Sequence, residues 1–160
     1  MQFQKCYGLL AMVLMIGATA HAQTWENPLP MTASPYTSVI DSCSYPSQWL
    51  YLDDGQFPVY APAIVYRVVQ LPFVHFPPIP LRTWSVSLAP QGWVDMSLWV
   101  CQQKNGDVIG QCVDESDNDG VGMPEHVTIP ARRGNYYIIV TGNIWGQPPM
   151  CGPYVLTAFH

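Results

Sequence analysis

Proline and glycine interrupt this chain so often that long helices are excluded before any other feature is weighed. Past residue 22 no stretch keeps a helical period for three turns without one or the other, and a proline inside a helix removes a hydrogen bond and clashes with the preceding turn. The runs left between the breakers are short and rich in β-branched and aromatic residues: 64–71, 83–89, 94–101, 107–113, 125–129, 135–141 and 154–159. Seven such runs fit a sandwich or a barrel. Within 83–89, Trp84, Val86 and Leu88 alternate with Ser85 and Ser87, the period of two that sets one face on a core and the other in water. Run 135–141 is apolar at every position from Tyr136 to Val140, as a central strand covered on both sides would be.

Only 11% of the residues are charged, against roughly 25% in an average soluble domain, and this excludes a charge-solvated disordered chain. Eleven acidic residues outnumber six basic ones, for a net charge of -5. That is the wrong sign for a protein that binds nucleic acid by releasing its counterions.

Residues 1–22 have the layout of an export signal: Lys5 near the start, an apolar run from Gly8 to Ala18, and Ala20-His21-Ala22 as a small-x-small cleavage site. The mature chain is expected to begin at Gln23. The apolar run is too short to span a bilayer and no later segment is long enough, so no membrane span is expected. Cys6 precedes the apolar run instead of following it, which argues against a lipid anchor. Export points to a secreted, extracellular or periplasmic protein, and to an oxidising compartment for Cys43, Cys101, Cys112 and Cys151. Four cysteines permit three pairings. Cys101 with Cys112 is favoured because the two flank the turn-forming Lys104-Asn105-Gly106-Asp107, which leaves Cys43 for Cys151. Zinc is disfavoured, since no two cysteines stand two to four residues apart.

After the signal, residues 23–58 hold Pro28, Pro30, Pro35, Pro46 and Pro58 and read as an irregular, proline-rich leader with one or two short strands, joined to the domain through Cys43. Residues 59–160 form the sandwich domain. Pro72 to Leu81 packs four prolines among Phe73, Val74, Phe76 and Ile79, too many for a sheet interior. It reads either as a cover over one end of the sandwich or as an exposed, polyproline-like flap.

The order of the pieces over 59–160 carries a resemblance. Val65-Tyr66-Arg67-Val68-Val69, Trp84-Ser85-Val86-Ser87-Leu88, Asp95 to Val100, an acidic turn, Arg133-Gly134-Asn135-Tyr136-Tyr137-Ile138-Ile139-Val140 and Cys151-Gly152-Pro153-Tyr154-Val155-Leu156 together resemble the bacterial pre-peptidase C-terminal domain. The most specific elements are Gly134, Tyr136 and Tyr137 with the closing Gly152 and Tyr154. The resemblance implies an all-β fold, a jelly-roll-like antiparallel sandwich of about seven to eight strands, and a non-catalytic module of exported proteins. The Pro72 to Leu81 insertion and the lack of an attached catalytic domain depart from that pattern.

Asp114-Glu115-Ser116-Asp117-Asn118-Asp119-Gly120, followed by Glu125, places five acids within twelve residues. The run from Glu115 resembles the first half of a calcium loop, but the position for a bidentate glutamate is His126, and Glu125 falls one residue short. An irregular calcium site of Asp114, Asp117, Asp119 and Glu125 is one reading. A solvated tight turn is the other.

Catalysis finds little footing. His75, His126 and His160 are the mature histidines, no serine stands in a Gly-x-Ser-x-Gly elbow, and oxidised cysteines supply no thiolate. The acids gather on one turn, away from the apolar pocket that a glycosidase acid requires. The remaining signal is aromatic: Trp25, Trp49, Trp84, Trp93, Trp99 and Trp145. Trp84 reads as core. Trp99 lies on the opposite strand face from Leu98 and Val100, while Trp93 and Trp145 sit in turns beside glycine, so these three are the candidate ligand contacts. The expected partner is an extracellular or cell-envelope protein or polysaccharide. A rival reading makes the protein an exported inhibitor or chaperone-like partner of a secreted hydrolase, acting in trans.

Overall fold

The computed structural model describes residues 24, 26–52, 57–70, 83–103, 112–117, 120–130, 134–142 and 151–160. The export signal and the Pro72 to Leu81 segment lie outside the described residues. Ten strands are described: β1 (Leu29–Pro30), β2 (Tyr36–Asp41), β3 (Ser47–Leu52), β4 (Phe57–Gln70), β5 (Thr83–Pro90), β6 (Met96–Gln102), β7 (Cys112–Ser116), β8 (Glu125–Pro130), β9 (Gly134–Gly142) and β10 (Pro153–Phe159). One sheet runs β1-β4-β9-β6-β7 with β3 joined to β4, and the other runs β2-β10-β5-β8. From β4 to β10 the chain changes sheet at every step except the β6–β7 hairpin, the connectivity of a jelly-roll-like sandwich.

The strand count exceeds the expected seven to eight because the leader supplies three. Of its prolines, Pro58 lies in the β3–β4 ladder opposite Tyr51, but the others fall where a ladder tolerates them: Pro30 in the two-residue edge strand β1, Pro35 before β2 and Pro46 before β3. Between these last two, β2 alternates half-buried and exposed positions and pairs with β10 from Tyr36↔Ala158 to Asp41↔Pro153. β4 begins at Phe57, seven residues ahead of the expected Ile64, since its first half pairs with β3 and its second with β9.

Two apolar clusters follow from this layering. The first lies between the sheets and joins Ile64, Tyr66 and Val68 to Leu98, Ile138, Tyr154 and Leu156. Trp84 belongs to it as expected, its ring edge-on to Tyr136 at 5.2 Å. The second lies on the other face of the larger sheet, where Leu50, Leu52 and Ala61 of the β3–β4 hairpin meet Val65, Trp99, Cys101, Tyr137 and Ile139. β9 sits between β4 and β6 and feeds both clusters, the doubly covered strand that its unbroken apolar run implies.

Both disulfides join the pairs expected. Cys101 and Cys112 are direct register partners in β6 and β7. Cys43 and Cys151 are bonded 108 residues apart, two steps beyond the Asp41↔Pro153 end of the β2–β10 ladder. Between them the buried Ser42 hydroxyl donates to the Gly152 carbonyl at 3.1 Å and accepts from the Gly152 N–H at 2.9 Å. Gly152 has no substitute here, because a Cβ would run into the Val94 side chain. The Asp41 carboxylate accepts the Cys43 N–H and caps the short 3-10 turn Ser42–Ser44 that carries the disulfide.

Tyr66 of β4 and Tyr154 of β10 meet across the sandwich with their hydroxyls 2.7 Å apart. Loss of solvation is the main cause that pushes the Tyr66 hydroxyl up to about 12, and burial raises Tyr154 as well. A raised folded-state pKa gives stability that is complete below the unfolded value near 10 and is lost as pH climbs through the folded one. The protein should therefore lose about 2 kcal/mol between pH 10 and 12 through Tyr66 alone. Urea melts across that range check this, and Tyr66→Phe should flatten the decline.

Candidate functional site

At one end of the sandwich two loops brace each other. The β5–β6 loop turns through Gly92 at φ +109° and the β7–β8 loop through Gly122 at φ +76°, conformations that favour glycine. The Gly122 N–H donates to the Val94 carbonyl at 2.8 Å, and a Cβ on Gly122 would stand 3.0 Å from the Gly92 carbonyl oxygen. Gln91 N–H donates to the Pro153 carbonyl at 2.8 Å, which ties the first loop to the start of β10. This frame holds Trp93 86% exposed, with Val121 and Met123 also exposed on the facing loop.

Carboxylates stand beside that end. Asp117 directly follows β7 and accepts a hydrogen bond from Ser97 Oγ at 3.0 Å. Asp95 directly precedes β6. Glu125, fully buried at the start of β8, accepts from Ser116 Oγ at 2.5 Å. Asp114 accepts the N–H of Glu115 at 3.0 Å.

The acidic segment differs from a single turn. Asp114, Glu115 and Ser116 form the second half of β7, and strand alternation divides what they reach. Ser116 pairs with Leu98, which faces the inter-sheet core, and so binds Glu125 on that side. Ser97 is the next residue along β6, so its side chain points to the opposite sheet face, and it binds Asp117 there. Asp119 lies outside the described residues. Among the described residues no three of His, Cys, Asp and Glu gather as a metal-binding group.

On the outer face of the smaller sheet, His126 Nδ1 is 2.8 Å from Ser87 Oγ and Nε2 is 3.0 Å from Thr128 Oγ1. Both ring nitrogens are thus taken by hydroxyls. In a Ser-His-Asp triad a carboxylate orients the histidine and stabilises its charged form; His126 has hydroxyl partners on the exposed face of β8.

Of the three tryptophans expected to meet ligand, Trp93 is displayed, Trp145 lies outside the described residues, and Trp99 is buried at 4% exposure. Alternation does turn Trp99 away from Leu98 and Val100, but the face it turns to is covered as well, by the second apolar cluster. Sequence reasoning overlooked Val121 and Met123, and also Trp49 and Tyr60, exposed opposite each other on the β3–β4 hairpin. The alternation in Ser47-Gln48-Trp49-Leu50-Tyr51-Leu52 was the available signal for that hairpin.

No family model matches the sequence, and no curated protein matches it. Among solved structures, the chain is similar to the pre-peptidase C-terminal domain of collagenase from Bacillus anthracis, at 12% identity and TM-score 0.48, covering 82% of this chain and 94% of that one. It is also similar to a periplasmic inhibitor of g-type lysozyme from Aeromonas hydrophila, at 14% identity and TM-score 0.41, again covering 82% and 94%. The first belongs to the family that the sequence motifs resemble.

Proposed function

We propose that this protein is an exported, disulfide-bonded β-sandwich that binds an extracellular or cell-envelope protein or polysaccharide without catalysing a reaction. The observation that supports this reading is the braced tip, where Trp93 stands in water on a loop fixed by backbone hydrogen bonds and two positive-φ glycines. A fixed loop loses little conformational freedom on binding, and tryptophan is prominent among the residues that dominate binding energy. Among the described residues the His126 ring is bonded to hydroxyls and the His160 ring to the Ala33 carbonyl, neither to a carboxylate, which fits a non-catalytic role.

A second reading, an exported partner of a secreted hydrolase, draws on the same tip. Val121 and Met123 widen its apolar surface, and methionine adapts to irregular protein pockets. Calcium at Asp114, Asp117, Asp119 and Glu125 is carried in this proposal by the sequence pattern alone. A melting midpoint that does not move with calcium removes it.

Retention of the mature, oxidised protein on the envelope fraction of the producing cell tests the tip. Trp93→Ala should weaken retention roughly tenfold or more while changing stability by less than about 0.5 kcal/mol, as expected of an exposed site. Retention equal to that of the parent protein would dismiss the tip as the binding surface. Inhibition of a secreted hydrolase, lost in the same variant, would select the second reading.

A further inference from the structure

The β3–β4 hairpin has an inner face, with Leu50, Leu52 and Ala61 in the second apolar cluster and Gln48 Nε2 donating to the Ala63 carbonyl at 2.9 Å. Its outer face displays Trp49 and Tyr60, which are register partners with ring centroids 5.1 Å apart and planes tilted by 42°. They keep 57% and 56% of their surface in water, in a fold that buries Trp84, Trp99, Tyr66, Tyr136, Tyr137 and Tyr154. A cross-strand aromatic pair steadies a hairpin, but that role does not need both rings so open to solvent.

Charge narrows what could cover them. No residue in Ser47–Leu52 or in 57–62 is charged, although the whole chain carries -5. A polyanion meets no cation on the hairpin and is repelled by the protein's overall field. The acids nearest in sequence, Asp53 and Asp54, stand between the two strands and not within them, so a cationic ligand finds no carboxylate at the paired positions themselves. A sugar ring without formal charge needs neither: its C–H face packs on aromatic rings while its hydroxyls remain in water. We propose that Trp49 and Tyr60 form a stacking platform for one sugar unit of a neutral glycan. The rings are close enough to make one continuous surface, so they hold the same unit, and a polymer gains strength by presenting that unit repeatedly. The platform is separate from the Trp93 tip and does not depend on it.

Among the described residues β3 pairs with β4 alone, so an extended peptide adding to its other edge is the competing occupant. Edge addition works through main-chain hydrogen bonds and should survive changes to the rings.

Calorimetric titration of the mature, oxidised protein with cellohexaose, chitohexaose and laminarihexaose tests the platform. At least one should bind, and Trp49→Ala and Tyr60→Ala should each weaken it roughly tenfold. The double variant should lose less than the product of the two, because both rings serve one unit. Trp49→Phe keeps an aromatic ring and should retain most of the binding, which separates lost stacking from a disordered hairpin. Val39→Ala, at an exposed position of β2 in the smaller sheet, should bind as the parent does. The platform is overturned if none of the three oligosaccharides binds, or if binding persists undiminished in Trp49→Ala. Loss of binding only in Trp93→Ala would also overturn it, moving the glycan to the tip and leaving the proposed function standing. Capture of a peptide insensitive to both ring variants would assign the hairpin to edge addition instead.

Discussion

Replacing Cys43 and Cys151 together by serine should destabilise the mature protein by about 3–5 kcal/mol, the largest effect expected of any change outside the core. The bond closes a loop of 108 residues, and in the chain-entropy model so long a loop contributes close to the upper end of that range. It also fastens the C-terminal end of β2, an edge strand, to the beginning of β10, which is paired on both sides by β2 and β5. Without it, the Ser42–Gly152 hydrogen bonds must hold that corner unaided. For a chain of this size the loss corresponds to a fall in melting temperature of roughly 10 °C. The Cys101–Cys112 bond spans 11 residues between register partners and should matter less on the same entropic ground. A calorimetric scan of the double serine variant checks this. A fall of only a degree or two would mean that β2 is held by its ladder alone.

Trp99→Ala should cost a further class of energy, about 3–5 kcal/mol, because it removes a large buried side chain and leaves a cavity. Trp99 lies among Val65, Cys101, Tyr137 and Ile139, and each of these would lose contacts that a neighbouring backbone could not quickly restore. Trp93 stands only six positions earlier, yet Trp93→Ala should leave stability nearly unchanged, since that side chain is 86% exposed. Urea denaturation of the two variants side by side makes the comparison. A stable Trp99→Ala protein would show that the second apolar cluster is not a packed layer.

Trp99 also marks where the sequence stopped being legible. Periodicity correctly placed it on the face opposite Leu98 and Val100, but a period of two distinguishes the faces of a strand without saying what lies over them. The cover comes from the β3–β4 hairpin, whose first strand sits in the proline-rich leader and whose pairing with β4 is a tertiary fact. The leader's three strands do not show in a count of its prolines: Pro28, Pro30, Pro35 and Pro46 stand at a strand edge or between strands, and only Pro58 lies within a ladder, opposite Tyr51. The unbroken apolar run of β9, the alternation in β5 and the cysteine pairing were readable, since each follows from local spacing. Composition alone makes the acidic segment a turn, whereas Asp114 to Ser116 extend the β6–β7 ladder past an irregularity at Val100 and Cys101 that shifts its register from that of the Cys101–Cys112 pair. The display of Val121 and Met123 needed the contact between two glycine turns, which no single run encodes.

The measurement that bears most directly on the proposed function is a nitrogen–proton spectrum of the tryptophan indole N–H groups in the mature, oxidised protein, recorded as solubilised envelope polymer is added. Binding through the braced tip predicts that the Trp93 indole signal shifts or broadens while those of the buried Trp84 and Trp99 stay in place. Binding that leaves the Trp93 signal unmoved would contradict the account.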